Sequence, residues 1–402
     1  MNKNFQNFTI FPKEESLVSL VTSKKILSLD SIALGSIGLS TIQNSGMSKT
    51  DFIGKIMHNQ SSSDIVIDTF LGRIGVFVIP IVSEEIYNDD GLVNALQDAI
   101  ALAELCGAKC ASLTGLIPSA TNYGYDIKAK NKNPNFLITT GHGTTTSAMV
   151  LNIEHVLDST RRNIELETLA CIGLGSIGLT TLQLMLSVLK HPKKLILCDI
   201  FSKLGELEKI SHMLSSHFNY KGEILIAESI NCKLPELVYN EATLLVGATN
   251  VPNIVSHNLL KPGIIIVDDS APHIFDPLNC IERFKKQKDI LVLQGGKLTL
   301  PVPIHFTYYY DNSLGIGKTE LEEVMVHSNL YEIMGCVLGS ILPLASNKTP
   351  ATLGLVETKI AISYYNFLKE QRIKGSSLQC EDYYYQQNDI VKFTNICREN
   401  CK

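Results

Sequence analysis

The run Thr168-Leu169-Ala170-Cys171-Ile172-Gly173-Leu174-Gly175-Ser176-Ile177-Gly178 decides the fold. An apolar strand leads straight into Gly-x-Gly-x-x-Gly, and an apolar, helix-like run follows over 179–189. A second apolar strand, 194–198, ends in Asp199. This order is the layout of a dinucleotide-binding unit. Gly173 is expected to allow the tight turn. Gly175 lets a pyrophosphate approach the backbone, and Gly178 lets helix and strand pack closely. The helix N-terminus at Ser176, Ile177 and Gly178 offers unpaired N–H groups to the phosphates. Asp199 lies 21 residues after Gly178, where a carboxylate can accept hydrogen bonds from an adenosine ribose.

The chain carries a near-copy of the hexapeptide, Leu34-Gly35-Ser36-Ile37-Gly38-Leu39. Ala33 stands where the first glycine belongs, and no clear second strand with a terminal acid follows. The segment reads as a loop or turn, not a second nucleotide site.

The 402 residues suggest two or three domains. Hydrophobic residues make up 45% and charged residues 19%, a globular balance. The net charge is −5 without a dense basic cluster, which argues against nucleic-acid binding. No apolar run reaches ~18 residues, so no membrane span is expected, and residues 1–13 lack the apolar core of a secretion signal. Most of the ten cysteines lie singly in apolar runs, as Cys171 and Cys198 do, a usage that fits a reducing cytoplasm. Neither close pair, Cys106/Cys110 or Cys397/Cys401, has a partner pair at zinc spacing, so no structural metal is expected.

Along the chain, 64–68 and 73–82 read as strands and 91–107 as a helix. The polar stretch 128–135 reads as an exposed loop. Strand-like runs at 169–172, 195–199, 224–227, 244–247, 264–268 and 290–293 alternate with helical segments, including 203–214, as a helix-covered parallel sheet requires. Gly247-Ala248-Thr249-Asn250 follows one of these strands, and Ala248 and Thr249 either border the cofactor or form a plain turn. Two helices are expected at 320–342 and 350–368. The tail around Tyr383-Tyr384-Tyr385 shows no interpretable pattern. The adjacent Asp268 and Asp269 end a strand and point to opposite sides, so they are not expected to chelate a metal.

Cys336 sits in Met334-Gly335-Cys336-Val337-Leu338-Gly339, where small neighbours leave room beside the sulfur. Periodicity alone favours a buried core cysteine, although a thiolate there is able to attack a thioester.

Several segments resemble the cyanobacterial long-chain fatty acyl-(acyl-carrier-protein) reductases, as a divergent relative, over about 64–373. They are Cys106-Gly107-Ala108-Lys109-Cys110-Ala111-Ser112-Leu113-Thr114-Gly115, Thr139-Thr140-Gly141-His142-Gly143-Thr144-Thr145, 171–178, Ile265-Ile266-Val267-Asp268-Asp269, Val292-Leu293-Gln294-Gly295-Gly296, Met334-Gly335-Cys336, and Gly354-Leu355-Val356-Glu357-Thr358-Lys359-Ile360-Ala361. The resemblance implies reduction of a carrier-bound acyl thioester to an aldehyde, with acyl carrier protein or acyl-CoA as the substrate carrier and Cys336 as the acyl-accepting residue. It implies NADPH, but the family's arginine after the second Rossmann strand is missing. Cys198-Asp199-Ile200-Phe201 stands there, and Asp199 favours NADH unless Lys203 offsets it. The first ~60 residues match poorly.

Hydroxyls and N–H groups around Gly141–Thr145 are candidates to stabilise charge on the carbonyl oxygen. His142 and His305 are candidate general acid/base groups, their ordinary pKa of ~6.5 suiting proton exchange. Leu116, Ile117, Val337, Leu338 and Ile341 either line an acyl channel or form core. Two other readings stay open: a dehydrogenase or imine reductase of a small carbonyl or amino compound, and a non-catalytic NAD(H)-binding protein. The expected architecture is α/β: an N-terminal substrate domain (1–158), a Rossmann domain (159–312) and a helical C-terminal segment (313–402) that completes the active site. A homo-oligomer is compatible with it.

Overall fold

The computed structural model describes residues 8–12, 17–199, 204–229, 233–310 and 329–400. The chain forms two compact units rather than three consecutive segments. One comprises Met1–Thr144 with Leu300–Gly354, the other Thr145–Thr299 with Leu355–Lys402. Neither is contiguous, because each recruits a late stretch of chain. The first boundary falls in the opening turn of the helix His142–Thr160, not at its end.

The first unit contains strands β1 (Phe8–Pro12), β2 (Ser31–Ile37), β3 (Ser62–Thr69), β4 (Gly72–Val82), β5 (Cys110–Leu113) and β6 (Leu137–Thr139). The second begins with β7 (Thr168–Ile172), β8 (Lys194–Asp199), β9 (Glu223–Glu228), β10 (Leu244–Gly247), β11 (Ile265–Asp268), β12 (Leu291–Gln294) and β13 (Lys297–Thr299). Strand β14 (His305–Tyr310) returns to the first unit, whose mixed sheet has the order β1-β14-β3-β4-β2-β5-β6. Its core includes Ile32, Leu34, Phe77, Ile79, Leu96, Ile100, Leu113 and Ile138.

The segment 34–39, expected as a loop, instead supplies half of a central strand. Residues Ser31–Leu34 pair in parallel with both β4 and β5. Ile32 and Leu34 are fully buried. Pairing on both edges and burial of these side chains outweigh the local preference of Gly35 and Gly38 for turns.

The second unit is the fully parallel sheet expected. Its order, β12-β11-β10-β7-β8-β9, is that of a Rossmann-type α/β fold. Leu169, Ala170, Leu195, Ile196, Leu197, Leu244, Leu245, Ile265 and Ile266 are fully buried. Helices Ser176–Val188 and Leu204–His217 lie where the sequence placed them, within a few residues. The tyrosine tail also has a role. Gln379–Cys380 and Tyr383–Tyr384 form a two-stranded hairpin. Tyr385 packs its edge on Phe284 and donates its hydroxyl to the Val292 carbonyl at 2.8 Å.

Three helical expectations change. Of the first C-terminal helix, 320–328 lie outside the described residues, and the rest is a strand, Glu332–Met334, followed by a single turn, Gly335–Leu338. The second helix begins only at Thr358. Gly354 takes a left-handed backbone (φ 66), which a continuous helix does not accommodate. Part of the supposed loop at 128–135 closes the helix Tyr125–Lys130. Among the described residues, no helix is long and apolar enough to cross a membrane.

One buried ion pair ties the entry of the parallel sheet together. Arg162 Nε donates to Glu167 at 2.8 Å, and its Nη1 donates to the Gly263 carbonyl at 2.6 Å. Nη2 reaches the Thr243 carbonyl at 3.1 Å. Both side chains are largely buried, at 13% and 5% exposure. Removing one partner leaves an uncompensated buried charge, so Arg162→Ala is expected to cost about 3–5 kcal/mol in urea unfolding. A loss below about 1 kcal/mol would show that water reaches Glu167 freely.

Candidate active site

In the second unit, β7 ends at Ile172 and the next helix starts at Ser176. Gly173 has φ 82, and a Cβ there would stand 2.4 Å from the Ala248 carbonyl oxygen. A Cβ on Gly178 would stand 1.9 Å from the carbonyl oxygen of Gly173. Loop, helix and the exit of β10 therefore meet backbone to backbone, and only glycine fits. Gly175 differs: a Cβ there meets nothing within 4 Å, so the space over the loop is open. An approaching pyrophosphate needs that opening, beside the N–H groups of Ser176, Ile177 and Gly178.

Asp199, 5% exposed, accepts the Leu174 N–H at 3.2 Å. Its carboxylate thus braces the glycine loop and sets a negative charge beside it. The Ala248 N–H donates to the Ile172 carbonyl at 2.9 Å, and the Thr249 N–H donates to Ser270 Oγ at 2.9 Å. Of the eight residues expected at the cofactor, Gly173, Gly175, Asp199, Ala248 and Thr249 lie at the carboxyl ends of β7, β8 and β10 or in the turns that follow, and Ser176, Ile177 and Gly178 form the first turn of the helix after β7. Residues 200–203, including Lys203, lie outside the described residues.

Sequence reasoning missed a charged cluster on the same sheet edge. Asp268 accepts His273 Nδ1 at 2.7 Å, with the N–H groups of Ser270 and Ile274 each at 3.2 Å. His273 Nε2 lies 3.2 Å from Glu381, and the ring stacks on Phe275. Burial opposes a charge on His273, but the hydrogen bonds to Asp268 and Glu381 outweigh it and push the ring up to about 9. Burial, then the Asp268 charge, pushes Asp269 up to about 8. Among the described residues, no group of three His, Cys, Asp or Glu could hold a metal ion. The available signal was a histidine five residues beyond a strand-ending acid.

Cys336 belongs to the first unit, in the single turn Gly335–Leu338. Its carbonyl accepts the Ser112 hydroxyl at 2.7 Å, at the carboxyl end of β5. Ser340 Oγ lies 2.9 Å from Ser31 Oγ on β2, which anchors the same turn from the other side. A Cβ on Gly141 would stand 3.1 Å from Cys336 Cα, and one on Gly339 2.9 Å from Gly141 Cα. The cysteine turn therefore sits directly on the loop that starts the helix His142–Thr160. Cys336 is partly exposed, whereas Cys106, Cys110, Cys171, Cys198, Cys280 and Cys380 are buried. Burial pushes the Cys110, Cys171 and Cys280 thiols up to about 12. Ile117, Leu338 and Ile341 are core residues, at 2% exposure or less. Leu116 and Val337 are half-buried.

The two histidines part company. His142 opens the helix and follows directly on Gly141, the residue on which the cysteine turn rests. Its ring is 6% exposed and meets Tyr123 edge-on. Burial pushes it down to about 4, so it is neutral at pH 7 and does not titrate there, contrary to the ordinary value assumed from sequence. His305 opens β14 and hydrogen-bonds Thr9 at 3.0 Å. Strands β14 and β5 are four spacings apart, roughly 19 Å at ~4.8 Å per strand. His305 is thus not part of the Cys336 site.

No family model matches the chain, and no curated protein matches it. Among solved structures, L-tryptophan dehydrogenase from Nostoc punctiforme shares 13% identity over 92% of this chain and 89% of its own, with a TM-score of 0.35. Malic enzyme from Pyrococcus horikoshii shares 12% over 94% and 84%, also at 0.35. Shikimate 5-dehydrogenase from Listeria monocytogenes, solved with shikimate and NAD, shares 12% over 67% and 89%, at 0.32. Likenesses of this degree assign neither family nor substrate.

The depressed His142 has a thermodynamic consequence. The unfolded histidine takes a proton near pH 6.5 that the buried ring refuses until about 4. Stability should fall as pH drops through that window, by about 3 kcal/mol in full. His142→Gln is expected to flatten this part of the acid limb in urea unfolding between pH 7 and 4. Parallel curves for both proteins would place the imidazole in water.

Proposed function

We propose that the protein is an NAD(P)H-dependent reductase that converts a fatty acyl thioester, on acyl carrier protein or CoA, to an aldehyde through an acyl group held on Cys336. The observation that carries this reading is the contrast between Cys336 and the buried thiols. Cys336 alone among the described cysteines combines solvent access with a backbone fixed by Ser112 and Gly141. A packing cysteine requires neither.

In this reading the Cys336 thiolate attacks the thioester carbon, the carrier C–S bond breaks, and the carrier thiolate leaves and takes a proton. The chemistry a reduced nicotinamide supplies when bound is hydride. Delivered to the Cys336 thioester, that hydride would give a hemithioacetal anion, whose collapse would release aldehyde and leave Cys336 as thiolate. His142, neutral at pH 7, is able to donate or accept one hydrogen bond but brings no charge. Asp199 holds negative charge where an adenosine 2′-phosphate would sit, which favours NADH over NADPH.

Intact-protein mass spectrometry after incubation with long-chain acyl thioesters, without nicotinamide, tests the covalent step. An acyl-sized gain on wild type, absent from Cys336→Ala and discharged by NADH, is expected. No adduct across chain lengths and both carriers, with dinucleotide binding intact, would sink the Cys336 nucleophile and turn attention to a small-molecule dehydrogenase. Gly175→Ala separates the dinucleotide site from folding. Its Cβ enters open space at an ordinary φ of −76, so the urea midpoint should not move. NADH affinity, read by fluorescence titration, should fall at least about tenfold, as 1.4 kcal/mol of lost contact implies.

A further inference from the structure

We propose that the Thr144 hydroxyl is the side-chain donor to the carbonyl oxygen of the acyl group on Cys336. The inference rests on the acyl-enzyme reading above and assigns one residue within it.

Thr144 is fully buried, and its Oγ1 has no hydrogen-bond partner among the described residues. A buried hydroxyl left unpaired costs about 1–3 kcal/mol. Helical threonines commonly avoid that cost by donating to the carbonyl four residues earlier. This chain does so at Thr160, which reaches the Val156 carbonyl at 2.7 Å, and at Thr394, which reaches Ile390 at 2.8 Å. Thr144 lies in the first turn of the helix that ends at Thr160, where the residue four positions back, Thr140, precedes the helix, and its hydroxyl makes no such bond.

The unpaired atom lies beside the cysteine turn. Oγ1 stands 3.2 Å from the place a Cβ on Gly339 would occupy, and Gly339 caps the turn that carries Cys336. The Thr144 N–H is already committed to the Gly141 carbonyl at 3.1 Å. The Ser112 hydroxyl is committed to the Cys336 carbonyl. Thr144 Oγ1 therefore keeps a free proton at this contact. Negative charge develops on the thioester oxygen both when the thiolate attacks and when hydride adds, and a preoriented donor stabilises it most in a water-poor site.

Thr144→Val keeps the branched shape and removes only the hydroxyl. It should fold with unchanged or raised stability, since no unpaired group remains, yet form aldehyde about 10²-fold more slowly, the usual loss for one such donor. Thr144→Ser should stay close to wild type. A ¹³C-labelled acyl-enzyme adds a readout that packing does not move. Its infrared carbonyl stretch should lie lower in wild type than in Thr144→Val. Should valine not fold, Thr144→Ala serves in the same comparison. Wild-type turnover and an unshifted stretch in the folded hydroxyl-less variant would overturn the assignment. If Cys336→Ala is inert in that case, only the role of Thr144 fails. If Cys336→Ala also turns over, the acyl-enzyme reading fails with it.

Discussion

Backbone meets backbone where the Cys336 turn rests on Gly141. Gly141 has φ 69, and a side chain there would collide with Ser112 Oγ at 2.8 Å as well as with the cysteine backbone. Gly339 closes the same contact from the other side. Much of the first unit's chemistry depends on this fit. It sets the height of the cysteine above the sheet, brings the Ser112 hydroxyl within reach of its carbonyl, and leaves the sulfur partly open. Just beside it, the Thr140 N–H donates to the Thr352 carbonyl at 2.9 Å. Early and late stretches of chain are thus joined around one seam, which the hydroxyls of Ser112, Thr139 and Thr140 also bridge.

The second unit was legible because its strands are buried on both faces. Continuous apolar runs such as 169–172 and 195–199 have little meaning except in a covered parallel sheet, and the glycine spacing fixes where the sheet begins to bind. The first unit was harder. Its central strand carries Gly35 and Gly38, whose local preference points to a turn, while the decisive pairing partners lie 40 and 80 residues away in β4 and β5. The cysteine turn misled for the opposite reason. Apolar residues around 333–342 suggest a helix, yet the tight seating on Gly141 permits only one turn.

The candidate residues divide along the same line. The glycine loop was readable because Gly173 and Gly178 each answer a local steric demand. Cys336 was not readable from its own neighbourhood, since exposure is a property of the tertiary fold. The character of His142 was misjudged, because its sequence setting of glycine and threonine says nothing of burial. Thr144 stood undistinguished among the hydroxyl candidates of Gly141–Thr145, and Ser112 had no signal of its own. Only the structure separates Ser112, Thr160 and Thr394, which spend their hydroxyls on carbonyls, from Thr144, which does not. His273 escaped because its partner Glu381 arrives from more than a hundred residues further along.

The divided first unit bears on when the Cys336 turn is seated during synthesis. Ser112 and Gly141 leave the ribosome some two hundred residues before Cys336. Until then the sheet edge that will seat the cysteine has no occupant. The thiol itself emerges into a chain whose seat is already in place, followed within about twenty residues by Thr352, which closes the seam. A nascent chain therefore holds an empty seat at Gly141 while some two hundred further residues are made.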